Sequence, residues 1–195
     1  MQCINVIQAF HASEYYHCDI KASNFIILND KSEVTICDFG QSMRKIDKNL
    51  NSVGTSKSKP MSVNLHTPFT CLSELEMLAY FFVEMWGGSV PWSAIVKQKR
   101  RKEKRDNKRD KKFNQAIFDS KEKFWIWVMA DDDHNNIYYK WSELKPLLQL
   151  FRNKIYILNE TIYSRLKTEV VRLSTEVQTT KLNLYKIQQN FCIHT

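Results

Sequence analysis

The sequence predicts a mainly α fold with one small β-hairpin. Three observations carry this. Only 4 Gly and 4 Pro occur in 195 residues, too few for a turn-rich β-sandwich. Several stretches repeat apolar residues every three or four positions, the helical period. Two short β-prone runs, Phe25-Ile26-Ile27-Leu28 and Val34-Thr35-Ile36-Cys37, flank the turn-forming Asn29-Asp30-Lys31-Ser32-Glu33. With 43% hydrophobic and 26% charged residues, the chain has apolar material for a core, and wholesale disorder is excluded. The length allows one ordinary domain, alone or with an appendage.

The elements follow in order. Ile4, Ile7 and Phe10 sit at helical spacing within residues 4–16. The hairpin comes next. Residues 41–70 are polar, carry Gly54, Pro60 and Pro68, and read as a long irregular segment. Leu75, Leu78, Ala79, Phe82 and Met85 mark a helix, with Ser73 expected as its N-cap, Glu76 as the capping-box partner, and Gly87-Gly88 as its end. Phe124-Trp125-Ile126-Trp127-Val128-Met129 is apolar throughout and is expected to be buried. From Leu158 an apolar stripe runs through Ile162, Leu166, Val170, Leu173, Val177, Leu184, Ile187 and Phe191. Its steps describe a long amphipathic helix, interrupted at Thr180, that packs on the domain or on a partner.

Charge is concentrated in one place. Lys97–Lys112 holds eleven basic and three acidic residues, a surplus equal to the whole net charge of +8. Such a run cannot enter a core and must be a solvated helix or loop. Three readings stay open: a nuclear-import signal, a phosphate-binding patch for nucleic acid, or a solvated insertion without a partner. No aromatic residue interleaves it, which argues against base stacking. Five scattered cysteines without a Cys-x-x-Cys pair fit a reducing compartment. No membrane-length apolar segment or signal peptide is read, so an intracellular location, nuclear or cytoplasmic, and no membrane partner are expected. Asp131-Asp132-Asp133-His134 invites a metal reading, but adjacent residues do not converge on one ion without a shaped loop, and a solvated turn is expected. Asn159-Glu160-Thr161 matches a glycosylation acceptor and is read as coincidence.

The stretch that carries chemistry is His17-Cys18-Asp19-Ile20-Lys21-Ala22-Ser23-Asn24, followed across the hairpin by Asp38-Phe39-Gly40. An aspartate at 19 can accept a hydrogen bond from a hydroxyl and orient it, Lys21 can neutralise negative charge beside it, and Asn24 and Asp38 offer hard oxygen ligands to a cation such as Mg²⁺. Phe39 is expected to pack beneath the loop, and Gly40 to permit its backbone turn.

H-x-D-x-K-x-x-N followed by D-F-G resembles the catalytic and magnesium loops of protein kinases. The form His-x-Asp-Ile-Lys-Ala-Ser-Asn, without an Arg before Asp19, is similar to the vaccinia-related kinases, beside the casein-kinase-1 group. Gly54-Thr55, Glu74 to Tyr80, and Gly88-Ser89-Val90-Pro91-Trp92 continue the resemblance in register over about residues 4–96. It implies a kinase-like C-lobe at 1–96, a basic linker or insertion at 97–112, and a helical C-terminal region at 113–195. It also implies transfer of the ATP γ-phosphoryl group to a protein Ser or Thr, with ATP and Mg²⁺ as cofactors. Asp19 and Lys21 would be catalytic, Lys21, Asn24 and Asp38 would bind the nucleotide, and Asn24 and Asp38 would hold the metal.

There are departures. Cys71-Leu72 stand where the family tends to have two arginines, and Glu74 replaces an aspartate that ties down the catalytic loop. The four glycines, Gly40, Gly54, Gly87 and Gly88, supply no glycine-rich loop for nucleotide phosphates, and the resemblance starts inside the helix that precedes the catalytic loop. The expectation is a truncated or degenerate kinase with little phosphate transfer by this chain alone. Two alternatives stand beside it. One is a non-catalytic, pseudokinase-like protein that binds a partner, such as a complete kinase, through the helix from Leu158 and the Phe124 block. The other is association with nucleic acid through Lys97–Lys112.

Overall fold

A computed structural model describes residues 2–28, 33–47, 54–65, 67–102, 107–130, 139–152 and 164–176. These residues are mostly helical, with two small antiparallel strand pairs. Helix α1 (Gln2–Ala12) buries Ile4, Ile7 and His11 on one face. It ends well before residue 16, because the chain turns at Ser13 and Glu14 into β1 (Tyr15–Tyr16). Glu14 sits at φ 65°, a left-handed conformation that a helix cannot continue. The hairpin forms as the sequence predicts. Strand β2 (Phe25–Leu28) pairs antiparallel with β3 (Glu33–Ile36), with Phe25 opposite Ile36 and Leu28 opposite Glu33. Strand β4 (Met43–Arg44) returns to pair with β1. The His17–Asn24 and Asp38–Gly40 stretches are therefore each tethered at a strand pair.

The segment at 41–70 is less irregular than expected. It holds β4 and a short helix α2 (Met61–Asn64), whose Met61 N–H donates to Glu76 Oε1 (3.0 Å). Helix α3 (Cys71–Gly87) is the centre of the core and buries ten of its residues. Its N-cap is Thr70, not Ser73. Ser73 is the third helical residue, and its Oγ accepts the Thr70 N–H (3.1 Å), closing a capping box. Glu76 points inward instead of capping, because the buried Met61 N–H and the Tyr80 hydroxyl both need an acceptor.

Helix α4 (Ser93–Lys102) and helix α5 (Asn107–Met129) run through the two ends of the basic stretch, α4 across residue 96 and α5 across residue 112. On α5 the apolar block is amphipathic and not buried all round. Phe124, Trp125, Trp127 and Val128 are buried, whereas Ile126 and Met129 are exposed, as one helical face must be when the other meets the core. Trp92, Trp125, Trp127, Trp141, Tyr80 and Phe124 form a continuous aromatic cluster. A 3-10 turn (Tyr139–Leu144) and helix α6 (Lys145–Arg152) close over α3 and α5. Residues 164–176 are helical and bury Leu166 and Leu173. Lys167 Nζ donates to Gln8 Oε1 on α1 (2.7 Å), so this part of the stripe packs on the domain. The rest of the stripe, the Asp131–His134 cluster and the Asn159 acceptor lie outside the described residues. No described helix is long and apolar enough to cross a membrane.

Candidate active site

The site is assembled on the loop between β1 and β2 and on the turn after β3. Asp19 is buried. Its Oδ2 accepts from Lys21 Nζ and from Asn24 Nδ2 (3.4 Å). Asn24, in a single 3-10 turn (Ala22–Asn24), also donates to the Asp19 backbone carbonyl (2.8 Å). That double contact fixes the aspartate relative to the amide. Asp19 Oδ1 is buried and has no hydrogen-bond partner among the described residues. Asp38 lies across the site, its side chain more than half exposed, and its Oδ2 is 3.9 Å from Lys21 Nζ. Lys21 thus stands between the two carboxylates. All four residues singled out by sequence, Asp19, Lys21, Asn24 and Asp38, are described and linked by these contacts.

His17 couples the two halves. Its Nδ1 accepts the Asp19 N–H (3.3 Å) and its Nε2 donates to the Cys37 carbonyl (2.9 Å). A neutral imidazole with its proton on Nε2 satisfies both bonds. The left-handed residue of the second turn is Asp38 (φ 65°), not Gly40. Gly40 is needed for neither φ nor space, since a Cβ there would meet Asp38 Oδ1 at an ordinary 3.5 Å. Phe39 stacks on Phe10 of α1 (centroids 5.6 Å) and meets His17 edge-on (5.5 Å), yet stays half exposed.

Cys18 is also left-handed (φ 67°), an uncommon backbone for a residue with a Cβ. Its N–H donates to Glu74 Oε1 (2.6 Å). Glu74 is fully buried, and its Oε2 is 2.8 Å from His11 Nε2. Burial works against a charged His11, but hydrogen bonds to Cys71 and Glu74 outweigh it and hold the imidazole pKa up at about 9. The same partnership lowers the Cys71 pKa against the effect of its burial. Burial and the Glu74 charge push the Cys18 thiol up to about 12. Sequence reasoning gave no role to His11 or His17. His11 continues the Ile4–Ile7 face of α1, which marks it as inward-facing; nothing local marks its partner.

Beside Lys21 a groove of about 390 Å³ is lined by Thr55, Lys57, Tyr80, Phe81 and Glu84 among others. Lys57 Nζ pairs with Glu84 Oε1, and the Lys57 carbonyl accepts from Trp92 Nε1 (2.8 Å). Among the described residues, no group of three or more His, Cys, Asp or Glu side chains is arranged to hold a metal.

No family model matches the chain. Curated relatives include the B1 kinases of vaccinia virus (strain Western Reserve) and of monkeypox virus. Each is 28% identical over 110 residues, covering 51% of this chain and 37% and 36% of the respective relative. The chain spans little more than a third of the length of these relatives. The similarity marks a distant relationship to kinases.

Proposed function

We propose that the chain carries the phosphoryl-acceptor side of a serine/threonine protein kinase site of the vaccinia-related type. The observation that supports this reading most directly is the unpartnered Asp19 Oδ1. Oδ2 is engaged by Lys21 and Asn24, so the free oxygen is the one left to accept a proton from a Ser or Thr hydroxyl. A buried acceptor without a partner is costly in a resting structure and useful where a substrate hydroxyl supplies the donor. Asp19 would aim that hydroxyl oxygen at the γ-phosphorus of ATP. Lys21 would offset charge developing on the transferred group.

The donor set suits Mg²⁺. A carboxylate on Asp38 and an amide oxygen on Asn24 are hard ligands, and Mg²⁺ commonly takes one or two protein oxygens beside water and phosphate. Bound with ATP, the ion would neutralise negative charge on the nucleotide phosphates. Asn24 and Asp38 would hold it, and Lys21 would keep the Asp19 and Asp38 carboxylates from repelling one another.

Paramagnetic broadening tests the reading. Mn²⁺ in place of Mg²⁺, added with ATP to isotope-labelled chain, is expected to broaden the amides of residues 21–25 and 37–41. Asp38→Ala should remove that broadening. Broadening confined to other segments, or unchanged in the variant, would overturn the assignment.

A further inference from the structure

The turn at Gly54–Lys59, which also borders the groove beside Lys21, encloses with helix α4 and helix α5 a small hollow of about 140 Å³. Lys59, Lys99 and Lys121 line it, one from each of these three elements, and among the described residues no carboxylate does. The turn is closed tightly. Lys59 N–H donates to the Thr55 carbonyl (2.7 Å). Gly54 is at φ +77°, and a Cβ there would stand 3.2 Å from Lys59 Cα. Glycine is required for this approach, and the approach brings Lys59 to the hollow.

Lys121 is fully buried. Its Nζ donates to the Lys59 carbonyl and lies over the Tyr80 and Trp92 rings, 5.0 and 5.2 Å from their centroids. Those contacts favour an ammonium, but none of them neutralises it. The carboxylate that acts on it, Glu76, is turned to the Met61 N–H and the Tyr80 hydroxyl. Among the described residues, no carboxylate lies within ion-pair distance of Lys59 or Lys121. The charges oppose one another. Burial pulls the Lys121 pKa down to about 7, and Lys59 pulls the same way against Glu76. Burial and Lys99 lower Lys59 in turn. Lys99 is held to α5 through Asn114 Oδ1 (3.1 Å), which fixes its ammonium at the rim.

We propose that the hollow lined by Lys59, Lys99 and Lys121 is a binding site for a phosphate dianion, free or carried as a phosphomonoester. A dianion would offset the like charge that Lys59 meets on either side and form charge-assisted hydrogen bonds with the lysines that line the hollow. Ser56 on the wall adds a neutral donor. The size admits a phosphate head and little more. A nucleic acid fits less well: each phosphodiester carries one charge, and no aromatic among the described residues lines the hollow to stack a base.

The test is calorimetric titration of the full chain with inorganic phosphate, with a short neutral peptide bearing one phosphoserine, with the same peptide unphosphorylated, and with a single-stranded oligonucleotide. Saturable binding of phosphate or phosphopeptide, absent for the unphosphorylated peptide, is expected to weaken roughly tenfold or more in Lys59→Met and in Lys99→Met. Both lysines are only partly buried, so these variants keep the fold, which circular dichroism checks. Tighter binding of the phosphopeptide than of phosphate assigns a protein source; equal binding assigns free phosphate. No binding at millimolar concentration, or binding indifferent to both substitutions, overturns the site. So does oligonucleotide binding that needs Lys59 and Lys99 when phosphate and phosphopeptide fail.

Discussion

Glu74 shows how one residue solves a problem its neighbours create. The loop between β1 and β2 passes through a left-handed Cys18, and such a backbone persists only where its surroundings hold it. The Glu74 carboxylate does so by accepting the Cys18 N–H, and its second oxygen is matched by His11. The two oxygens of this one carboxylate thus meet a backbone donor and an imidazole at once. The pairing has a pH signature. The His11 pKa stands at about 9 in the fold against 6.5 in the free residue, so its stabilisation is complete below the free value and is lost as pH rises through about 9. Urea unfolding is expected to show stability falling across that window by up to about 3 kcal/mol. His11→Gln should flatten the fall. Cys71, whose thiol is acidified by the same imidazole, titrates beside it, so the measurement is repeated in Cys71→Ser. A slope that persists in His11→Gln would remove this histidine from the linkage.

At the scale of elements, the ends of α3 show what local signals convey. A helix with these apolar positions and a stop at Gly87-Gly88 is legible from spacing alone, and it forms. Its start is three residues earlier than the Ser73–Glu76 pair suggests, because Glu76 is drawn to Met61 on α2 and Ser73 serves Thr70 instead. The two glycines also divide their work. Gly88 is the left-handed residue (φ +72°), with open space around it. Gly87 is needed for room: a Cβ would stand 2.4 Å from Trp141 Nε1, whose N–H donates to the Val83 carbonyl (3.2 Å). Gly88→Ala is expected to cost about 1 kcal/mol, for backbone conformation alone. Gly87→Ala should cost about 2–3 kcal/mol, because a rigid indole must move. Calorimetric melting of the two variants checks the order; equal losses would show that Trp141 is not seated against this glycine.

For the whole molecule, the helix at 164–176 decides how the C-terminal part relates to the rest. Leu166 and Leu173 join the main core, and Lys167 reaches α1 at the other end of the chain. Leu173→Ala is expected to cost about 3 kcal/mol, whereas Val171→Ala on the exposed face should change stability by less than about 0.5 kcal/mol; chemical denaturation distinguishes them, and similar losses would argue that this helix is not docked. The sequence by itself determined the hairpin, the body and stop of α3 and the apolar stripe that holds Leu166 and Leu173, and it singled out Asp19, Lys21, Asn24 and Asp38 as candidates, because apolar period, turn residues and motif spacing are written over a few neighbouring positions. It could not show that Glu74 meets His11 and Cys18, that Trp141 fills the space beside Gly87, or that Lys59, Lys99 and Lys121 share one hollow. Those are meetings of groups tens of residues apart, and only the packing of α1, α3, α4 and α5 with the Gly54–Lys59 and Tyr139–Leu144 turns brings them within contact distance.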